Sequence, residues 1–140
     1  MYRDILLPVD LDHPAAGPCA TAVALAKAFA ARLHVMAVMP TYDLVMVSQY
    51  LPAGHEQRMR DDLLQRLHAF VAAEVPQGLP VQSVVGEGRV YQEVLRVARE
   101  LSADLIVMGS HRPGLGDFLI GSNARKVVQH ATCSVMVVRD

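Results

Sequence analysis

The sequence predicts a doubly wound α/β fold: a five-stranded parallel sheet, Rossmann-like, with helices on both faces. Three observations predict it. Five short apolar runs alternate with four amphipathic helical patterns along 140 residues. Consecutive strands joined through helices need crossover connections, which make the strands parallel and cover both faces of the sheet. After the fourth run the chain enters a glycine-rich stretch, Gly109 to Asn123, that opens a helix.

The elements follow in order. Asp4-Ile5-Leu6-Leu7-Pro8-Val9-Asp10 reads as a first strand, followed by a turn through His13-Pro14 and Gly17-Pro18. The first helix is expected to present Ala22, Leu25, Ala26, Phe29 and Leu33 on one face. A second strand runs from about His34 to Met39, and a proline-bounded loop spans residues 40–52. The second helix carries Met59, Leu63, Leu67, Phe70 and Val71, and Gly78 and Pro80 punctuate its end. A third strand near residues 81–85 leads through Gly86-Glu87-Gly88 into a helix with Val90, Val94, Val97, Ala98 and Leu101. Leu105-Ile106-Val107-Met108 is the fourth strand, and Ala124, Val127, Val128 and Ala131 recur at helical spacing beyond the glycine stretch. Ser134-Val135-Met136-Val137-Val138 closes the series.

Residues 1–140 are expected to form one domain, large enough to bury a proper core, and 52% hydrophobic content argues against disorder. No segment reaches the roughly 18 apolar residues of a membrane span, and no basic, signal-type start is present. A cytoplasmic protein is the expectation. Thirteen basic against fourteen acidic residues give a net charge of −1, without a basic block, which disfavours nucleic acid as a partner. Cys19, placed before the first helix, and Cys133, before the last strand, are expected to be free thiols. The six histidines are dispersed, so no metal site is expected.

The glycine stretch points to phosphate. Free backbone N–H groups and the positive end of the dipole at a helix N-terminus attract anionic oxygens, and glycine lets the backbone approach them. Ser122 would either cap the helix or hydrogen-bond a phosphate, and glycines also make ordinary turns. In doubly wound sheets a ligand lies beyond the carboxyl ends of the strands, where the strand order reverses. If the first and fourth strands are neighbours there, Asp10 and the glycine stretch meet across one crevice.

The chain resembles the universal stress protein family over nearly its full length. The resemblance rests on Ile5-Leu6-Leu7-Pro8-Val9-Asp10, Asp104-Leu105-Ile106-Val107-Met108-Gly109-Ser110-His111, Gly121-Ser122-Asn123-Ala124 and the ending from His130 to Arg139. It is similar to the single-domain, bacterial type, in a branch with a Ser-His-Arg-Pro loop. The family implies a five-stranded parallel sheet that binds adenine nucleotide at the switch point, and a homodimer through the last strand. That strand carries Val135, Met136, Val137, Val138 and Arg139, and an apolar edge strand needs covering. Carried over by position, the resemblance puts Pro8, Val9 and Asp10 beside the nucleoside and Val38 along the adenine. Met108, Gly109, His111 and Arg112 then follow the ribose and phosphates, and Gly121, Ser122 and Asn123 receive the phosphate tail. The implied cofactor is ATP, with magnesium left open.

The sequence departs from the family pattern of Gly, two residues, Gly, nine residues, Gly, then Ser or Thr. Arg112 stands at the second glycine position, with eight residues rather than nine between it and Gly121, and Pro113 removes a backbone donor. The Arg112 guanidinium offers charge in exchange. Individual residues also have plainer roles. Asp10 either meets the ribose or a cation, or caps the turn that follows it; His111 either touches ligand or braces its loop. The methionines at strand and helix positions suit core packing.

Three functions compete. The first is an ATP-binding regulatory stress-response module acting as a nucleotide-responsive dimer. The second is a nucleotide-free universal stress protein that works through dimerisation and protein partners. The third, an adenine-nucleotide hydrolase or pyrophosphatase, is disfavoured because Asp10-Leu11-Asp12-His13-Pro14 lacks the Ser-Gly-Gly phosphate loop of such enzymes. No catalytic residue is assigned, and at most slow ATP hydrolysis or autophosphorylation is expected.

Overall fold

Strand β1, Asp4–Pro8, lies at the centre of the sheet, flanked by β2, Arg32–Met39, and β4, Leu105–Gly109. The computed structural model describes residues 1–39, 52–110 and 120–139. Outside β2 lies β3, Val81–Glu87, and outside β4 lies β5, Ser134–Val138, so the order is β3-β2-β1-β4-β5 with all pairings parallel. This is the predicted sheet.

Four helices complete the described elements: α1 Ala16–Phe29, α2 His55–Glu74, α3 Val90–Glu100 and α4 Ser122–His130. They cover opposite faces because alternate strand residues point to opposite sides. Ile5, Leu7, Leu33, Val35, Leu105 and Val107 join Ala22 and Ala26 of α1 and Leu67 of α2 in one buried cluster. Leu6, Met36, Ile106 and Met108 join Val94 and Ala98 of α3 and Ala124 and Val127 of α4 in the other. Met36, Met39 and Met108 are core residues, as expected of strand methionines.

Several boundaries differ from the sequence reading. The first strand ends at Pro8 rather than Asp10. Helix α1 begins at Ala16, so Gly17, Pro18 and Cys19 lie inside its first turn rather than in a preceding turn. A proline is tolerated there because the first-turn amides have no intrahelical acceptor. Ala30, in the left-handed region at φ 52°, ends the helix, and Ala31 bonds back to Ala26. Leu33 therefore belongs to β2, where it is fully buried, and Phe29 is left partly exposed, edge-on to Tyr2. On α4 the apolar spacing overreached: Val128 is 50% exposed and Ala131 lies past the helix. The loop expected over residues 40–52 lies outside the described residues except for Pro52.

A polar row crosses the amino-terminal end of the sheet on the α3/α4 side. The Asp4 carboxylate accepts from His34 Nε2 and from the Arg32 guanidinium, and His34 Nδ1 meets Gln82 Oε1. Beside it, the Asp104 carboxylate accepts the amides of Arg3 and Asp4, while the Asp104 amide donates to the Asp4 carbonyl. This clasp joins the starts of β1 and β4, about a hundred residues apart.

Candidate functional site

The crevice arises from where strand pairing stops. Strand β1 pairs with β2 as far as Pro8↔Met36, and β4 pairs with β5 as far as Gly109↔Val138. Between β1 and β4 the ladder covers only Ile5↔Leu105 and Leu6↔Ile106. The central seam therefore ends earlier than the ladders on either side. This is the point at which the strand order reverses, the place where a doubly wound sheet accepts ligands.

Side-chain alternation sorts the expected site residues. Pro8, Val38 and Met108 project to the α3/α4 side, Val38 half-buried and Met108 buried against that core. Val9 packs against the opposite core, and its amide extends the β1–β2 ladder by donating to the Met36 carbonyl at 2.8 Å. Asp10 is exposed, two residues past the end of β1. Its Oδ1 accepts the Asp12 amide at 3.0 Å and its carbonyl accepts the His13 amide, so it does cap the following turn. The second carboxylate oxygen has no such bond to that turn. Asp12 in turn pairs with Arg66 of α2, which steadies the loop from the far side.

Gly109 ends β4 half-buried, with the Pro18 ring behind it. Ser110 follows it, only 2% exposed. Its amide donates to the Val138 carbonyl at 3.0 Å, and its carbonyl accepts the Gly121 amide at 2.7 Å. Thus the residue leaving β4 is tied directly to the residue that starts α4. Ser110 entered the sequence reading only as part of the strand motif and of the Ser-His-Arg-Pro loop, since its bonds to Val138 and Gly121 are main-chain bonds that no side-chain type announces.

Gly121 is the N-cap of α4 and is buried, with φ −58° and ψ 153°. Neither Ser122 nor Asn123 is the N-cap: both lie within the helix, and the Gly121 cap has no side chain to offer its first amides. Ser122 is exposed and Asn123 half-buried. The first turn contains no acidic residue that would neutralise the positive end of the dipole. On its outer side α4 is braced against α3 by Lys126, whose ammonium sits 4.7 Å from the Tyr91 ring centroid. His111 and Arg112 lie outside the described residues, so the described part of the expected site is Pro8, Val9, Asp10, Val38, Met108, Gly109, Gly121, Ser122 and Asn123.

The end of β3 forms a second border. Glu93 accepts the Glu87 amide at 2.9 Å and is held in bidentate fashion by Arg96. The Arg96 guanidinium, against the opposing effect of burial, keeps the Glu93 carboxyl below its ordinary range. Glu87 itself is bonded to Arg60 of α2. These ties place α2 and α3 on either side of the strand end without drawing on the crevice residues.

Other chemistry is sparse. Among the described residues no group of three or more His, Cys, Asp or Glu side chains is arranged to hold a metal, and no helix is long and apolar enough to cross a membrane. Both cysteines are free; Cys19 is buried within α1, and burial, with a contribution from Glu74, pushes its thiol up. That disfavours the thiolate and hence nucleophilic use.

Comparison with known proteins agrees with this fold. The family model described as the universal stress protein family matches residues 1–139. Universal stress protein G of Shigella flexneri is 30% identical over 144 aligned residues, covering 99% of this chain and 100% of the relative. Among solved structures, universal stress protein UspA from Lactobacillus plantarum is similar at 27% identity and a TM-score of 0.65, covering 99% of this chain and 98% of that one. The universal stress protein from Archaeoglobus fulgidus in complex with dAMP has the same fold at 18% identity and a TM-score of 0.64, with 97% of each chain covered. The chain therefore belongs to the universal stress protein family.

Proposed function

We propose that this protein is an ATP-binding regulatory module of the stress response, in which nucleotide state adjusts a homodimer. The observation that carries the reading is the early end of the β1–β4 seam beside the N-terminus of α4, whose cap is a glycine and whose first turn holds no acidic residue. The base would lie in the slot formed by Pro8, Val38 and Met108, where apolar side chains favour a purine. Asp10 offers an exposed acceptor oxygen to ribose hydroxyls. The amides of Ser122, Asn123 and Ala124 would receive the phosphates, assisted by the helix dipole. Ser122 Oγ is exposed at the same helix end. His111 and Arg112 would add contacts along the ribose and phosphates. That a similar fold in the Archaeoglobus fulgidus protein carries dAMP supports an adenine nucleotide as ligand.

The dimer would form on β5, an edge strand of the sheet with Met136 37% exposed. An unpaired apolar edge is a template for a second strand, and a twofold arrangement satisfies both copies at once. A nucleotide-free mode acting through dimerisation and protein partners is the second reading, favoured by Arg112 and Pro113 at positions where the family pattern calls for a glycine cradle.

Two measurements decide between them. Mass spectrometry on denatured, freshly purified protein is expected to release an adenine nucleotide, and ATP with magnesium is expected to raise Tm by mass action. A protein that carries no nucleotide and shows no thermal shift at millimolar ATP belongs to the second reading.

A further inference from the structure

Ser110 stands at an unusual junction. Its N–H continues the ladder to β5 by donating to Val138, but its carbonyl has turned out of that ladder and accepts the amide of Gly121, the N-cap of α4. One residue, 2% exposed, thus spans the outermost strand and the first residue of the candidate phosphate site. We propose that Ser110 is a positioning residue that couples the pairing state of β5 to the placement of the Gly121, Ser122 and Asn123 backbone. The inference rests on the nucleotide reading for its functional meaning, though the mechanical link stands on the two hydrogen bonds alone.

The physical argument is one of shared constraint. Strand β5 is bonded on one side to β4, and its residues are only half-buried or exposed. Pairing its free edge with a second copy of this chain restricts its motion and so fixes the Val138 carbonyl. Holding the Ser110 amide at Val138 narrows the range open to its carbonyl, because only φ and ψ of this one residue separate the two rigid peptide planes. The Ser110 carbonyl then presents a more confined acceptor to Gly121, and the first turn of α4 inherits that restriction. The coupling runs both ways by thermodynamic necessity: phosphate binding that orders Gly121 steadies Ser110, and through Val138 favours the paired form of β5. No movement of the helices on the other side of the sheet is needed.

Cys133 makes the test practical, because residues 133–140 form a short synthetic peptide that can be ligated through its N-terminal cysteine. The Val138–Arg139 peptide bond is replaced by an ester, with the arginine side chain retained. This weakens the Val138 carbonyl as an acceptor and removes the Arg139 N–H, while leaving every side chain in place. An all-amide protein made by the same ligation is the reference, and circular dichroism verifies that both fold.

In the first arm, without nucleotide, hydrogen exchange is followed at the Gly121 amide. The ester is expected to accelerate it about tenfold, while the Val9 amide, bonded to Met36 in the other half of the sheet, keeps its rate. Equal Gly121 rates in the two proteins overturn the coupling. In the second arm, ATP affinity is measured for both proteins across a range of protein concentration. The all-amide protein is expected to bind ATP about fivefold more tightly when assembled, and the ester protein to lose that dependence. A dependence that survives the ester also overturns the proposal. If the all-amide protein binds no ATP, the nucleotide reading fails, and the exchange arm alone decides the coupling.

Discussion

His34 Nε2 lies 2.9 Å from Asp4 Oδ1, and both residues are buried. Parallel register explains the meeting: Asp4 is opposite Arg32 and Leu6 is opposite His34, so the Asp4 side chain reaches diagonally to a neighbour on the same face. The row it starts, through His34 to Gln82, stitches three strands at the end of the sheet remote from the crevice.

This row gives the protein a defined acid sensitivity. Burial alone would raise the Asp4 carboxyl, but hydrogen bonds from His34 and Arg32 and the Arg32 charge outweigh it and hold the group below its ordinary range. As pH falls below about 4 the unfolded chain takes up the proton first, and stability declines toward the lower folded value. Above about pH 5 the contribution is complete. Asp4→Asn is expected to cost about 1–3 kcal/mol at neutral pH and to flatten the loss between pH 5 and 2. Glu93, displaced the same way by Arg96, keeps part of the slope. Urea midpoints across pH test this, and parallel curves for the two proteins count against it.

Leu67 is the one buried residue among the described positions of α2, with Leu63, Phe70 and Val71 only partly buried around it. Leu67→Ala is expected to lower stability by about 2–5 kcal/mol. Denaturant unfolding reads this directly. A cost below about 1 kcal/mol would show that α2 is held by its periphery instead.

Gly88, at φ +140°, turns the chain from β3 into α3, and its amide bonds the Met39 carbonyl. That conformation excludes a β-carbon at little cost only for glycine. Gly88→Ala is expected to lose about 1–3 kcal/mol, although Glu93 Cγ at 3.4 Å leaves room for the added carbon. Tm measurements distinguish backbone strain from crowding, since Gly86→Ala instead meets Glu93 and Met36 at about 3.1–3.2 Å without a positive φ.

Gly121 has backbone angles open to any L-residue, so Gly121→Val tests the ligand space rather than the turn. The variant is expected to keep its fold and lose the ATP-induced rise in Tm, with affinity at least about tenfold weaker. An undiminished thermal shift removes Gly121 from the phosphate site.

Met136 probes the β5 interface. Met136→Lys is expected to leave the sheet folded, because the side chain is partly exposed, and to shift the protein toward monomer by sedimentation at micromolar concentration. A sedimentation profile identical to that of the unaltered protein rejects a dimer contact at this residue.

The strands were legible because each is a short apolar run whose period matches a buried parallel strand, and the glycine stretch after Met108 marked the crevice. Leu33 was misplaced because it continues the helical spacing of α1, and only the left-handed Ala30 shows that the helix has already ended. Val128 fits the apolar spacing of α4 yet faces outward, since a nine-residue helix needs only Ala124 and Val127 to dock. The Asp4, His34 and Gln82 row was invisible for a different reason: it depends on register between strands far apart in sequence. Ser110 was overlooked because its bonds to Val138 and Gly121 come from the main chain. Among the described residues of the expected site, Pro8, Val38 and Met108 do share one side of the sheet, as strand alternation implies.

The placement of β1 also shapes how the molecule is made. Of the five strands of this sheet the central one is synthesised before the others, and its second neighbour cannot join until Leu105 and Ile106 have been added. Until then a growing chain can complete only the β1, β2 and β3 half, leaving one side of Leu6 and Leu7 uncovered. Closing that seam requires contacts across about a hundred residues, the kind of long-range event that slows folding and exposes sticky intermediates. The Asp104 clasp onto the Arg3 and Asp4 amides is thus a late stitch, and weakening it would show first as slower maturation of the newborn chain.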